Sequence, residues 1–336
     1  MSYFEKNWVA WALSMYFIGV DIGGTKVSIS LGNSRGEVIE KQRLSTHALG
    51  EPKSGQEKIL KMIQKCALQA GITIGQVEAV GLAVPGPMSV ERGMLLRPPN
   101  LPNWVDVPIR QFLKRHLSLP VFIQNDADAG ALAHLEFAPL KRINHFIFLT
   151  MSTGVGGGVI IDGKLVQGKN DTVGEVGHFV LDPKGPKCMC GQNGCFEVYC
   201  GGKSIALLTQ EAIRSQQVET AILQKADGRV ENIDMKCIVS AAKEGDLFAV
   251  DVCNRFIERL AQGLGILIMT LNPEIVVLGT IFIRSGTYLI RTFFGKKLAY
   301  GRFSSFWRGK RLFTIKKSIF LGKKALPALF LHLLAT

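Results

Sequence analysis

Two stretches of this chain repeat one plan, and that repetition constrains the fold more than any single residue does. Phe17-Ile18-Gly19-Val20 reads as a buried strand, Asp21-Ile22-Gly23-Gly24-Thr25-Lys26 as a glycine turn, and Val27-Ser28-Ile29-Ser30-Leu31 as a second strand. A turn around Asn33 to Gly36 leads to a third strand expected at Glu37 to Leu44. The plan returns 129 residues later: strand Phe146 to Thr150, glycine-rich loop Ser152 to Gly158, strand Val159 to Ile161, turn Asp162-Gly163, and Lys164 to Val166. Two such hairpins predict two related α/β lobes facing one another.

Helical patterning covers Gln56 to Ala70, Asp128 to Phe137, Lys203 to Ser215 and Phe248 to Thr270. Short apolar strands at Val77 to Val84, Val121 to Gln124 and Ile275 to Leu278 alternate with them. No long Pro/Ser linker, solenoid-period repeat or low-complexity stretch intervenes, so the lobes are expected to join directly near residues 125–145. A chain of 336 residues with 47% hydrophobic content is long enough for both.

The formal net charge of +13 raises nucleic acid or an anionic membrane as a partner. Its distribution removes that reading. From Arg284 to the end there are 12 Lys plus Arg and no Asp or Glu, leaving 28 basic and 27 acidic residues in the first 283. The body is near neutral, and no specific nucleic-acid partner is expected. The uncharged run between Lys6 and Asp21 is too short to span a bilayer, as is Ala325 to Ala335, so no membrane association and a cytoplasmic location are expected. A strand and glycine turn fill the second half of the first run, and Met15 reads as the natural start. The expected organisation is an N-terminal extension over 1–16, an N-terminal lobe over 17–125, a C-terminal lobe over 126–283 and a basic, atypical segment over 284–336.

Seven cysteines, Cys66, Cys188, Cys190, Cys195, Cys200, Cys237 and Cys253, are an odd number, with three packed into eight positions. That looks like metal rather than a disulfide framework. His178 precedes the three in the spacing His-x9-Cys-x-Cys-x4-Cys. One imidazole and three thiols on a glycine-bearing loop over 178–195 can furnish a closed tetrahedral Cys₃His zinc site. Four protein ligands leave no position for a water nucleophile, so the Zn²⁺ is expected to be structural. Glu175 and Glu197 flank the loop. A rigid loop would fix both carboxylates against a polyhydroxylated ligand, although each alone reads equally as a salt-bridge partner. Cys66, Cys200, Cys237 and Cys253 read as small buried apolar or helix-face residues.

In the first glycine turn, Gly23 and Gly24 let backbone N–H groups point at phosphate oxygens. Thr25 and Lys26 add a hydroxyl and a cation, and Asp21 could hold Mg²⁺ through water. An ordinary glycine hairpin has the same appearance. A strand rather than a helix follows, so the turn is neither a Walker A loop nor a Rossmann turn. The second loop, with Thr153, Gly154, Val155, Gly156 and Gly157, is equally ambiguous alone; together the two suggest arms gripping one polyphosphate. Asn125-Asp126 follows a buried strand at the carboxyl end where α/β proteins place ligands. Asp126 is there either a base for an attacking hydroxyl or, like Asp128, a helix cap.

Taken in order, Asp21 to Lys26, Ala83-Val84-Pro85-Gly86-Pro87, Pro99-Asn100-Leu101-Pro102-Asn103-Trp104, Asn125 to Ala129, Thr153 to Gly158, Gly174 to His178 and Cys188 to Glu197 resemble the ROK sugar kinases, in particular their bacterial glucokinase branch. The resemblance runs from about Phe17 to about Gly279. It implies a two-lobed, actin-like ATPase fold of the hexokinase type, a duplicated RNase H-like α/β architecture with a zinc-binding loop. It also implies transfer of the ATP γ-phosphoryl group to a sugar hydroxyl, with Asp126 as general base. Asn125, Glu175, His178 and Glu197 would hold the sugar, with Asn100 a further candidate, and His178 would bond both zinc and sugar. Gly23, Gly24, Thr25 and Lys26 on one lobe and Thr153 to Gly157 on the other would clamp the phosphates with Mg²⁺, with Gly279 near the nucleotide. Sugar and ATP are the expected small-molecule partners, glucose being favoured by Pro99 to Leu101, Trp104 and the Glu175/His178 pair. Family members are commonly dimers or tetramers, which leaves a homodimer or homotetramer as the assembly implied.

The chain also departs from that family. Gly279 is followed by Thr280 where paired glycines are usual, and no Gly-Ala-containing helix motif occurs in the segment from Ser318 onward. A reading frame altered near Lys323, or drift of the tail, would account for this. A noncatalytic sugar-binding relic is therefore the rival reading to an active kinase. A repressor is disfavoured because only 16 residues precede Phe17, against the sixty or more of a winged helix-turn-helix.

Overall fold

Alternation in the first hairpin sorts its side chains onto two faces. β1 (Tyr16–Ile22) and β2 (Lys26–Asn33) pair antiparallel with Ile18 opposite Leu31, Val20 opposite Ile29 and Ile22 opposite Val27. All six are fully buried. The other face carries Gly19, Asp21, Ser28 and Ser30. The computed structural model describes residues 15–137, 143–216 and 218–279, together with Ile281, Ser285, Tyr288, Leu289 and Thr292. The expectations placed on residues 1–14 and on the chain from Ser318 onward lie outside these.

The described residues fall into two compact units, one holding 15–137 and 158–173, the other 143–157 and the residues from 174. In the first, β3 (Val38–Ser45), β4 (Val77–Val84) and β7 (Val121–Asn125) complete a five-stranded sheet of order β3-β2-β1-β4-β7, and two-residue strands β5 (Met88–Ser89) and β6 (Met94–Leu95) pair with each other. β4 runs parallel to both β1 and β7, so the carboxyl ends of β1, β4 and β7 lie at one edge, with Asp21 opposite Ala83 and Val84 opposite Asn125. Helix α1 (Pro52–Gln69) contributes Ile59, Ile63 and Cys66 to the core beneath the sheet, and α2 (Ile109–Leu117) contributes Ile109, Leu113 and Leu117. Trp104 is buried in the same core, its Nε1–H donating to the Gly50 carbonyl at 2.9 Å. Helix α3 (Asp126–Phe137) follows β7 directly.

The second sheet has the order β10-β9-β8-β11, from β8 (Phe146–Met151), β9 (Val155–Ile161), β10 (Lys164–Leu165) and β11 (Ile275–Leu278), with β11 parallel to β8. β8 thus sits between its hairpin partner and a parallel strand, as β1 does in the first sheet. The second unit adds α4 (Phe196–Cys200), α5 (Gly202–Gln216), α6 (Ala221–Lys225), α7 (Met235–Lys243) and α8 (Leu247–Leu271). Phe196, Phe256, Leu260, Val276 and Leu278 share its core. Gly263 of α8 lies against the Phe196 ring: a Cβ there would stand 2.5 Å from a ring carbon.

One expectation is corrected. The glycine-rich loop ends early, because β9 starts at Val155 and takes in Gly156 to Gly158. The glycines there answer to crowding rather than to a turn. A Cβ on Gly158 would meet Ala131 at 2.5 Å and the Ala127 carbonyl at 2.7 Å, and one on Gly157 would meet Val176 at 2.9 Å. Among the described residues, no helix is long and apolar enough to cross a membrane.

Candidate active site and metal centre

The first unit gathers the expected residues of the β1–β2 turn and the β7–α3 junction. Gly23 N–H donates to the Lys26 carbonyl at 2.9 Å, and the Gly23 carbonyl accepts the Thr46 hydroxyl at 2.7 Å. Thr46, buried and 23 residues away, was not foreseen, yet it pins the turn. Its own N–H donates to the Thr25 carbonyl at 3.1 Å, while the Thr25 and Lys26 side chains are exposed. Asn100 comes to the same turn. A Cβ on Gly24 would lie 2.9 Å from its Nδ2, so a side chain there would push that amide aside. Burial pushes the Asp21 carboxyl above its ordinary value, against the pull of Lys41 and Lys26. A carboxylate so placed gains from further positive charge.

At the β7–α3 junction the cap is Asn125: its Oδ1 accepts the Ala127 N–H at 2.8 Å, and the helix begins with Asp126. Asp126 is exposed at the carboxyl end of a parallel strand. An oxygen two residues ahead of the N–H closes an Asx turn, so Asn125 itself caps the helix start.

In the second unit the loop after β8, the Gly174–His178 segment and α4 are woven together. Gly157 N–H donates to the Gly174 carbonyl at 2.8 Å, Gly202 N–H to the Ser152 carbonyl at 2.8 Å, and Lys203 N–H to the Thr153 carbonyl at 3.1 Å. Glu197 Oε2 accepts the Val155 N–H at 2.9 Å, and a Cβ on Gly154 would stand 2.2 Å from that same oxygen. The carboxylate expected to hold a sugar thus also holds the loop expected to hold phosphate. Burial raises the Glu175 carboxyl above its ordinary value, with His178 pulling it down and Glu197 pushing it up. The backbone brings their segments together, His178 N–H donating to the Glu175 carbonyl at 3.1 Å and Phe196 N–H to the Phe179 carbonyl at 2.9 Å. Gly279 is buried and continues the sheet, its N–H committed to the Leu149 carbonyl at 2.8 Å.

His178, Cys188, Cys190 and Cys195 converge, one ligand atom from each lying within 4.8 Å of all the others. His178 Nδ1 is 3.7 Å from Cys188 Sγ, and Cys190 Sγ is 3.6 Å from Cys195 Sγ. A tetrahedron with Zn–S bonds of about 2.3 Å has edges of roughly 3.8 Å, so the spacing fits one Zn²⁺ among four protein ligands. The donor set agrees with that fit. Three thiols and one imidazole are a ligand set that structural zinc takes. The loop's own bonds close it: Cys188 N–H to the Gln192 carbonyl at 2.8 Å, Gly194 N–H to Pro186 at 2.8 Å and Leu181 N–H to Gly194 at 2.8 Å.

The model of the ROK family matches residues 17–305. The chain belongs to the ROK family. It is 33% identical over 273 residues to a glucokinase of Thermotoga maritima, covering 81% of this chain and 84% of that protein. It is 34% identical over 270 residues to a xylose repressor of Caldicellulosiruptor bescii, covering 78% of this chain and 65% of the repressor, so it spans just under two thirds of that relative. Among solved structures, a ROK family glucokinase from Streptomyces griseus in complex with glucose and AMPPNP superposes with a TM-score of 0.73 at 28% identity, covering 93% of this chain and 97% of that one. The α/β architecture expected of a ROK hexokinase-type fold is thus the one observed.

Proposed function

We propose that this ROK protein is an ATP-dependent hexose kinase converting glucose to glucose 6-phosphate. The observation that carries the reading is the turn from Glu175 to His178 bonded through Phe179 to the start of the Glu197 helix, beside the Cys₃His cluster, with Glu197 bonded to the Val155 N–H of the glycine loop. Two carboxylates and an imidazole suit a ligand dense in hydroxyls. The match to the glucokinase solved with glucose and AMPPNP supports the same pair of substrates here.

Phosphoryl transfer needs positioning and charge stabilisation more than covalent help. Glu175, Glu197 and His178 would accept or donate to sugar hydroxyls, His178 doing so through Nε2 because Nδ1 faces Cys188. Asn125, whose Oδ1 caps α3, would use its Nδ2 on the sugar, with Asn100 a further contact. Asp126 would take the proton from the primary hydroxyl as the new P–O bond forms and the bond from the γ-phosphorus to the ADP oxygen breaks. Gly23, Gly24, Thr25 and Lys26, and separately Thr153 to Gly157, would line the phosphates, the Thr25 hydroxyl and the Lys26 ammonium bonding their oxygens, while the N–H groups of Gly23, Val155 and Gly157 hold the turns through Lys26, Glu197 and Gly174. Mg²⁺, when held through water by Asp21, would offset the charge of the phosphates. Zn²⁺, when held by His178 and the three cysteines, would supply rigidity and no open coordination site. Use of ATP accords with a cytoplasmic enzyme.

The 34% identity with a xylose repressor favours one second reading, sugar binding without turnover. ATP consumption by the purified protein over glucose, mannose, fructose, N-acetylglucosamine and N-acetylmannosamine, with a sugar-free blank, separates the two. Turnover on glucose above the others supports the proposal. Silence on every sugar, with glucose still raising the melting temperature, supports the binding reading instead.

A further inference from the structure

One guanidinium outside the expected site touches both the neck of the Cys loop and the helix that follows it. Arg259 of α8 donates from Nη2 to Asp182 Oδ2 at 3.2 Å, lies with its guanidinium carbon 4.4 Å from the centroid of the Tyr199 ring, and donates from Nη1 to Gln262 Oε1 at 3.1 Å. Gln262 in turn donates from Nε2 to the Leu181 carbonyl at 3.2 Å. Leu181 and Asp182 form the neck of the loop, where the arm leaving His178 meets the arm entering Cys195: both their N–H groups go to the Gly194 carbonyl, at 2.8 and 3.3 Å, and Val180 bridges Cys195. Asp182 is fastened at every oxygen, Oδ1 taking the Lys184 N–H at 3.1 Å and its carbonyl taking the Gly185 N–H at 2.8 Å. Tyr199 lies on α4, two residues beyond Glu197, and its hydroxyl fills the space a Cβ on Gly185 would need.

We infer that Arg259 is a positioning residue, which ties the His178 arm and the Glu197 helix to α8 and so sets the geometry of the metal cluster and of the sugar-binding carboxylates. Arg259 and Asp182 are each about one third exposed, and an ordinary pair of that kind contributes little. What distinguishes Arg259 is its fork: a planar guanidinium held by a carboxylate, an amide oxygen and an aromatic face has one orientation, which a lysine ammonium cannot reproduce. The helix behind it is itself seated, with Phe256 and Leu260 buried and Gly263 against Phe196. The link to sugar rests on the kinase reading; the link to metal does not.

The test uses the full-length, zinc-loaded protein and the variants Arg259→Met, Arg259→Lys, Asp182→Asn and Asp182→Asn/Arg259→Met. Zinc release to a chelating dye and the KM and kcat for glucose are measured on each. Arg259→Met is expected to lose zinc about 10-fold faster and to raise the glucose KM about 10-fold while kcat changes by less than about 3-fold. Arg259→Lys should recover only part of this, and the double variant should be no worse than Arg259→Met, because Asp182→Asn removes a link that Arg259→Met has already removed. Wild-type zinc release and KM in Arg259→Met, or additive losses in the double variant, would overturn the inference. Should Arg259→Met fail to fold, Asp182→Asn carries the same comparison from the other partner. If no sugar is turned over by the wild type, the kinase reading fails alone. Zinc release and the glucose-induced shift in melting temperature then decide the positioning role, unchanged values in the variants overturning it.

Discussion

Asp126 opens α3 while Asn125 caps it, so the two adjacent residues can be separated by experiment. Asp126→Ala removes the carboxylate and leaves the Asn125 cap in place. Turnover is expected to fall by about 10²–10⁴-fold, with the sugar Kd by titration calorimetry largely kept. Near-normal turnover would take the base role away from Asp126. Gly154 offers the complementary test in the second unit. A methyl there must displace Glu197 Oε2, 2.2 Å from the Cβ position, and with it the bond to the Val155 N–H. Since a misplacement of about 1 Å can reduce rate by about 100-fold, Gly154→Ala should lower kcat/KM for both glucose and ATP by that order. Loss confined to glucose would mean that the loop after β8 has no share in nucleotide binding. Neither the Glu197–Val155 bond, 42 residues apart in sequence, nor the Arg259–Asp182 pair, 77 apart, leaves a local signal, and this is why neither was foreseen.

At the level of elements, Asp246 fastens two helices at once. Its carboxylate caps α8 through the Ala249 N–H at 2.7 Å and holds the start of α6 through the Ala221 N–H at 2.7 Å and the Thr220 hydroxyl at 2.9 Å. Burial pushes this carboxyl up, but these donors outweigh it and hold it below the ordinary carboxylate value. Losing such a cap costs about 0.5–2 kcal/mol, so Asp246→Ala should unfold at lower denaturant at neutral pH. The sign with pH follows from linkage. A carboxylate whose folded pKa is depressed gives its full stabilisation above the unfolded value and loses it as pH falls through the folded value. The gap between wild type and Asp246→Ala should therefore be widest near neutrality and shrink below about pH 4, the ordinary carboxylate range. A gap independent of pH would mean that the carboxylate acts through shape rather than charge. Strands such as Val77–Val84 and Ile275–Leu278 were legible to the residue because they are rich in apolar residues, with Glu78 the one charged residue in the two, and are bounded by turn residues. The start of β9 was not, since glycine carries no strand preference and Gly157 and Gly158 owe their identity to Val176, Ala127 and Ala131. Helices α2 and α7, nine residues each, were too short for their periodicity to declare them.

Across the whole molecule, the paired hairpins were legible as a repeat because each carries its own glycine turn between apolar strands, and the metal centre because its four ligands lie within eighteen residues. What holds each of these in place is contributed from elsewhere in the chain: Thr46 for the first turn, Arg259 and Gln262 for the Cys loop. The two units have separate cores, one built on Val20, Ile29 and Leu82, the other on Leu149, Phe196 and Phe256. Metal removal should then act unevenly. The loop over 178–195 is closed by turn bonds and isolated bridges rather than by a strand ladder, so four metal bonds would add much to its rigidity, whereas β1 and β4 are held by a full ladder. Hydrogen exchange of the chelator-treated protein should quicken across 175–200 and leave 17–22 and 77–84 at their zinc-loaded rates. Equal acceleration in both would mean that the metal supports global stability, and no change in either would remove the cluster as a structural zinc site.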